Sequence, residues 1–273
     1  MEETFQVDRD LVMAQFAEYT SHYNDKDPKI RLKIEHTYRV AGLSQRIARS
    51  LSLPEGDVDL AWLIGMLHDI GRFEQLRRFG TFKDADSIDH ARFGVELLFQ
   101  DGLLGKFVPC LKGRNVLSKD SNPAVSILHD AIWNHSAYRI EEGMDSRKEM
   151  FCNIIRDADK VDIFKVIDET PLEDVYDFTT EEIKQSRVTP EVFQAFMERH
   201  AVLRSLKKTA VDYIVGNMSL AFELVYPESY RITREQGYLA NIAAFHSEND
   251  FTNEDFETMR ESLQEHLQKQ MDR

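Results

Sequence analysis

Apolar positions recur along this chain three and four residues apart, and nowhere alternate one by one with polar ones between turn pairs. The pattern predicts helices and no sheet. Asp10 to Tyr23 sets Leu11, Phe16 and Tyr19 near one face and stops at Asn24-Asp25-Lys26-Asp27-Pro28. Ile30, Ile34, Ala41, Leu43, Ile47 and Leu51 give a second face, on a helix that carries His36 and ends at Leu53-Pro54-Glu55-Gly56. Asp57 is the expected N-cap of a third helix, which runs through the apolar stretch Ala61-Trp62-Leu63-Ile64-Gly65-Met66-Leu67 to His68. From Arg72 to Asp86 the residues are polar and aromatic, which predicts a loop with short helical turns. Ser87 or Asp89 then opens a helix with Ala91, Val95, Leu97 and Leu98 inward and His90 in its first turn. Asp101 to Pro123, with Gly102, Gly105, Pro109 and Gly113, has weaker periodicity and is expected to cross the surface.

Val125 to Ser136 is again helical, burying Ile127, Leu128, Ala131 and Ile132 and bringing His135 near its end. Met150 to Ile167 is apolar at Phe151, Ile154, Ile155, Ala158, Val161 and Phe164, yet interrupted by Asp157, Asp159, Lys160 and Asp162. Three aspartates on so apolar a helix need partners. After a loop around Pro171, Pro190 to Tyr226 reads as one or two long helices, with Thr233 to Phe245 and Asn253 to Gln270 as two more. No internal repeat, low-complexity tract or linker is visible, so residues 1–273 are expected to form one all-α domain. In that arrangement the C-terminal helices, about 190–271, wrap an earlier functional core.

Composition narrows the class. With 273 residues and 42% hydrophobic content the chain can bury a full core. No window approaches the roughly 18 apolar residues of a membrane span, and Met1-Glu2-Glu3-Thr4 lacks the blocks of a signal peptide, so no membrane partner and a cytoplasmic location are expected. Cys110 and Cys152 are too few for a disulfide framework or a thiolate zinc site and are expected to be reduced. A formal charge of −14 disfavours a large nucleic-acid footprint, which needs a basic surface. A small anionic substrate remains open, since it needs only local cations or a metal.

The candidate chemistry centres on His68-Asp69, a pair of ligand types for first-row divalent ions at the end of a dry helix. A buried carboxylate there is costly without a cation or donors. The dipeptide alone decides little, because His129-Asp130 repeats it. His36, His68, Asp69, His90, His135 and Asp159 each fall on or at the end of a predicted helix, and bundles build metal sites from facing helices. Single histidines are ordinarily surface or core residues, so His22, His200, His246, His266 and the pair His129-Asp130 are read as structural.

A histidine, then His-Asp, then a distant aspartate within Arg156-Asp157-Ala158-Asp159-Lys160-Val161-Asp162 resembles the HD-domain superfamily of metal-dependent phosphohydrolases. The runs His68-Asp69-Ile70-Gly71-Arg72-Phe73-Glu74-Gln75 and Ser87-Ile88-Asp89-His90 are similar to bacterial members, and the resemblance spans about 31–168. It implies an HD-domain-like helical bundle with additional C-terminal helices. It makes His36, His68, Asp69 and Asp159 the ligands of one metal, with Asp159 preferred to Asp157, which lies about 200° around the helix. Asp162, one turn on, is then a neighbour of Lys160. His90 and His135 match the histidines that hold a second metal bridged by Asp69, or that bind phosphate.

The implied activity is hydrolysis of a nucleotide or other small phosphoester by metal-activated water. Asp69, Arg72 and Lys160 are then the catalytic residues, with Arg72, Gln75 and Lys160 also binding the anionic phosphorylated substrate. Phe73, Phe82 and Tyr138 are candidates for its walls. The cofactor is a divalent transition metal, one or two per chain, with manganese, iron, cobalt, nickel or zinc suited to histidine-rich ligation without thiolates. An alternative is an HD-fold mixed-valent di-iron oxygenase acting on a small organic substrate. A third reading, a non-catalytic metal-binding regulatory module, is opposed by the complete ligand set.

Overall fold

A computed structural model describes residues 6–111, 122–176 and 178–272; Gly113 and the first four residues lie outside them. Among the described residues the regular elements are helices, with no strand. They run as α1 (Arg9–Thr20), α2 (Pro28–Ser50), α3 (Glu55–Leu67), α4 (Ile70–Phe79), α5 (His90–Val95), α6 (Leu104–Phe107), α7 (Pro123–Asn134) and α8 (Ser146–Glu169). Then follow α9 (Leu172–Tyr176), α10 (Thr180–Gln185), α11 (Pro190–Met197), α12 (Val211–Met218), α13 (Pro227–Gln236), α14 (Tyr238–Ala243) and α15 (Asp250–Met271).

Side-chain caps start several of them where orphan amides need acceptors. Asp8 accepts from Leu11 N, Asp27 from Lys29 N, and Asp89 from the amides of Ala91 and Arg92. Thr179 and Glu182 cap α10 reciprocally. Asp57 does not cap α3: the helix begins two residues earlier, behind Pro54. The Asp57 carboxylate instead takes the Arg147 guanidinium through both oxygens, at 2.9 and 2.6 Å.

The expected loop from Arg72 is helical as far as Phe79, where Gly80 at φ 69° ends α4. Polar side chains of α4 point inward to polar partners, so its apolar periodicity is masked. Where one or two long helices are expected between Pro190 and Tyr226, the chain forms two short ones, α11 and α12, with 3-10 turns at 204–206 and 219–223. Gly237, at φ 77°, likewise splits the next expected helix into α13 and α14.

The chain forms two compact units, 1–159 and 160–273, with the division inside α8. In the first unit α3 is buried on nearly all faces, from Leu60 through Leu67, and packs chiefly on α2. Gly65 permits that approach, since a Cβ there would stand 2.6 Å from Ala41 Cα. Gly71 does the same between α4 and α5, where a Cβ would meet the His90 carbonyl oxygen at 2.4 Å and Gly94 N at 2.7 Å. Phe73 packs edge-on to Phe16 and Tyr19 and at a tilt to Tyr23.

The second unit has its own core around Phe164, Val192, Phe196, Ile214, Met218, Phe256 and Met259. Asp212 is fully buried inside it. Its carboxylate accepts from the amides of Thr189, Lys208 and Thr209 and from the Thr189 hydroxyl, at 2.6–2.9 Å. Among the described residues no helix is long and apolar enough to cross a membrane.

The two glycine environments make opposite predictions. Gly71→Ala is expected to destabilise by about 2 kcal/mol or more, because backbone, not a flexible side chain, must give way. Gly42→Ala, exposed on α2 with nothing within 4 Å of the new Cβ, is expected to stabilise by about 0.5–1 kcal/mol. Urea unfolding of both variants checks the pair.

Candidate metal centre

Six candidate ligands are delivered by helix ends and inward helix faces. His36 projects from the middle of α2, and His68 closes α3. Asp69, at φ −103° and ψ 16°, turns the chain from α3 into α4. His90 is the first residue of α5, His135 follows the last residue of α7, and Asp159 lies on α8. All but Asp159 are buried; its side chain is 16% exposed.

Asp69 organises the cluster through its two oxygens. Oδ2 faces His36 Nε2 at 3.7 Å and His68 Nε2 at 3.6 Å. Oδ1 faces His90 Nε2 at 3.4 Å and His135 Nε2 at 3.6 Å. Asp159 Oδ1 completes the first group, 3.1 Å from His36 Nε2 and 3.9 Å from His68 Nε2. Ligand atoms of His36, His68 and Asp159 lie within 4.8 Å of one another, as do those of His68, Asp69 and His135.

The other ring nitrogens set the tautomers. His68 Nδ1 lies 2.7 Å from the Gly65 carbonyl, and His135 Nδ1 lies 2.7 Å from the Ile132 carbonyl. A carbonyl can only accept, so both Nδ1 atoms carry the proton. His90 Nδ1 is 2.6 Å from Asp84 Oδ2 and is a donor for the same reason. With Nδ1 the donor in three rings, their Nε2 atoms converge on a carboxylate, and those of His90 and His135 stand 3.0 Å apart. The buried His68 Nε2 has no hydrogen-bond partner. Such an arrangement suits a metal cation, and its donor set fits divalent transition ions.

Protonation is a poor substitute for the cation. Burial pushes the His68 and His90 imidazoles down to about 4, against partial opposition from Asp69 at His68 and from Asp84 at His90. Burial would raise the Asp69 carboxyl, but Lys33 and then His68 outweigh it and hold it well below the ordinary range. Asp159 is likewise lowered against burial, by its bond to His36. Asp84 is drawn to about 2, burial being overcome by His90 and Arg72.

Two residues unmarked by any sequence motif belong to this cluster. Lys33 places Nζ 2.7 Å from Asp69 Oδ2. Asp84 ties His90 to Arg72, whose Nη1 also donates to the Phe82 carbonyl and Gln75 Oε1. Lys33 could have been found as the cation one turn before His36. Asp84 opens a single 3-10 turn, 84–86, too short for spacing to carry such a signal.

The remaining sequence candidates are placed as follows. Arg72 Nε lies 3.6 Å from Asp69 Oδ1, while its Nη1 is already engaged by three acceptors. Gln75 is fully buried and donates to Asp84, Ser87 and the Ile88 carbonyl. Lys160 is buried and belongs to the second unit, about 100° around α8 from Asp159. Phe73 is core rather than wall, and Tyr138 is half exposed. Phe82 is nearer the chemistry, its ring centroid 5.8 Å from both Lys33 Nζ and the Arg72 guanidinium carbon. The second His-Asp pair bonds internally, His129 Nδ1 to Asp130 Oδ1 at 2.9 Å, and Asp130 takes Lys148 at 2.8 Å. A separate cleft of about 450 Å³ lies on another face of α4, lined by Tyr19, Tyr23, Glu74, Arg77, Arg78 and Lys106 among others.

Helices that each lend a histidine or aspartate to one buried cluster define a class of all-α metal-binding domain. Residues 34–168 match the family model of the HD domain, and the chain is an HD-domain superfamily protein. No curated protein and no solved structure matches it significantly.

Acidification is expected to destabilise the metal-free protein. Between pH 6.5 and about 4 the unfolded chain takes up protons at His68 and His90 that the folded chain refuses, so stability falls with falling pH across that window. Below about 3.8, Asp84 adds a loss of the same sign as it protonates in the unfolded chain before the folded one. Urea midpoints at pH 7, 5.5 and 4.5 test the histidine window.

Proposed function

We propose that this chain is a metal-dependent phosphohydrolase acting on a nucleotide or another small phosphoester. The observation that carries the reading is the convergence of Nε2 lone pairs on both oxygens of Asp69 within an HD domain. His36, His68, Asp69 and Asp159 would hold one divalent ion, and His90 and His135 a second across Asp69. A bound ion supplies a lowered water pKa and a Lewis acid for the phosphoryl oxygens.

The chain's own residues supply orientation and charge. The Gly65 and Ile132 carbonyls and Asp84 hold three imidazoles with Nε2 free to ligate. Asp69, Asp84 and Asp159 against Lys33 and Arg72 leave the cluster with one negative charge, and one divalent ion reverses its sign. A positively charged site is what an anionic phosphoester requires, because charge stabilisation supplies most of the catalysis in such transfers. Arg72 acts as a fixed charge held by Asp84, Gln75 and the Phe82 carbonyl rather than as a free fork.

The placement of His90 and His135 on Oδ1 also favours a second reading, a di-iron oxygenase using the same ligands. Anaerobic purification, metal analysis and phosphate release from a panel of nucleotides and phosphomonoesters separate the two. His68→Ala and Asp69→Ala are expected to lose metal and fall to background, and Asp84→Asn to lose about 10–100-fold through misoriented His90. Absence of metal-dependent phosphate release from every ester rejects the hydrolase reading, while two irons per chain with oxygen consumption selects the oxygenase.

A further inference from the structure

Lys33 stands three residues before His36 on α2, and its ammonium lies 2.7 Å from Asp69 Oδ2. That oxygen also faces His36 and His68. It therefore has two claimants: a tethered monovalent cation already on it, and the divalent ion that the imidazole lone pairs call for. Two cations on one carboxylate oxygen repel, so occupancy by one weakens the other. The Lys33 side chain is 17% exposed, against 0–3% for His36, His68 and Asp69, so its end of the ion pair is the more accessible to solvent.

The rest of its surroundings leaves it able to move. Its four-carbon stem is flexible, and the Phe82 ring flanks the ammonium at 5.8 Å without a directional bond. Arg72 has no such freedom, pinned by three acceptors through Nη1. We infer that Lys33 is the exchangeable counter-cation of this centre: it neutralises Asp69 in the metal-free chain, yields Oδ2 to a divalent ion, and then takes an anionic oxygen of the bound ligand. The last step rests on the phosphoester reading above; the exchange at Asp69 does not.

Metal-stripped protein titrated with Mn²⁺ by calorimetry tests the exchange, with melting followed before and after loading. Lys33→Met keeps the stem without the charge, and is expected to bind Mn²⁺ about tenfold tighter or more. Its metal-free form is expected to melt below the parent, because Asp69 is left buried and uncompensated, and its Mn²⁺-loaded form to recover. Lys33→Arg, which restores a charge, is expected to move both values back toward the parent and so separates lost charge from a folding defect. Inorganic phosphate titrated into the Mn²⁺-loaded proteins reads the second role, with Lys33→Met about tenfold weaker. Unchanged or weaker Mn²⁺ binding with unchanged melting overturns the exchange, as does a parent chain that takes up no Mn²⁺. Unchanged phosphate affinity overturns the anion role. None of these readouts needs turnover, so a chain that shows every shift yet releases phosphate from no ester rejects the hydrolase reading alone.

Discussion

The arrangement of the first unit depends on the Asp69 carboxylate, a buried negative charge at the junction of two helices. Burial penalises its charged form, so positive charge must be brought close to it. Lys33 comes from α2, and Arg72 from the first turn of α4. Four imidazole nitrogens face the same two oxygens with few protons to offer them. The molecule thus holds a charge whose neighbours are themselves electron-pair donors, which is the electrostatics of a cation site.

Asp212 in the second unit shows what the alternative looks like. It is as deeply buried, yet three backbone amides and a hydroxyl donate to its oxygens. A carboxylate serving structure collects donors. Around Asp69 the near groups are instead imidazole nitrogens and the charges of Lys33 and Arg72. Rigidity around it comes from close backbone approaches at Gly65 and Gly71, which seat α3 on α2 and α4 on α5 with little room to shift.

Much of this was legible before any coordinates. The all-helical class followed from period alone, and His36, His68, Asp69, His90, His135 and Asp159 were all named from spacing, type and family likeness. The misses have specific physical causes. The α4 segment carries no helical signature because Arg72 and Gln75 turn inward to polar partners, which erases the apolar stripe that announces a helix. The break at Gly237 and the positive φ at Arg199 interrupt apolar patterns that continue on both sides. Lys33 carries no mark in the sequence of its partner Asp69, 36 residues away, and Asp84 meets His90 and Arg72 only through the course of a turn that spacing does not specify.

By itself, then, the sequence determined which side chains can ligate and which helices bear them, since residue chemistry and helical period are local properties. Local folding at the helix ends decided which nitrogen each of three histidines presents, through the Gly65 and Ile132 carbonyls three residues back and the Asp84 carboxylate six residues back. The tertiary structure decided that Asp69 divides its oxygens between two groups of imidazoles, and that Lys33 meets it through one ion pair while Arg72 is pinned by three acceptors. These are matters of distance and direction between segments far apart in the chain. Only packing sets them.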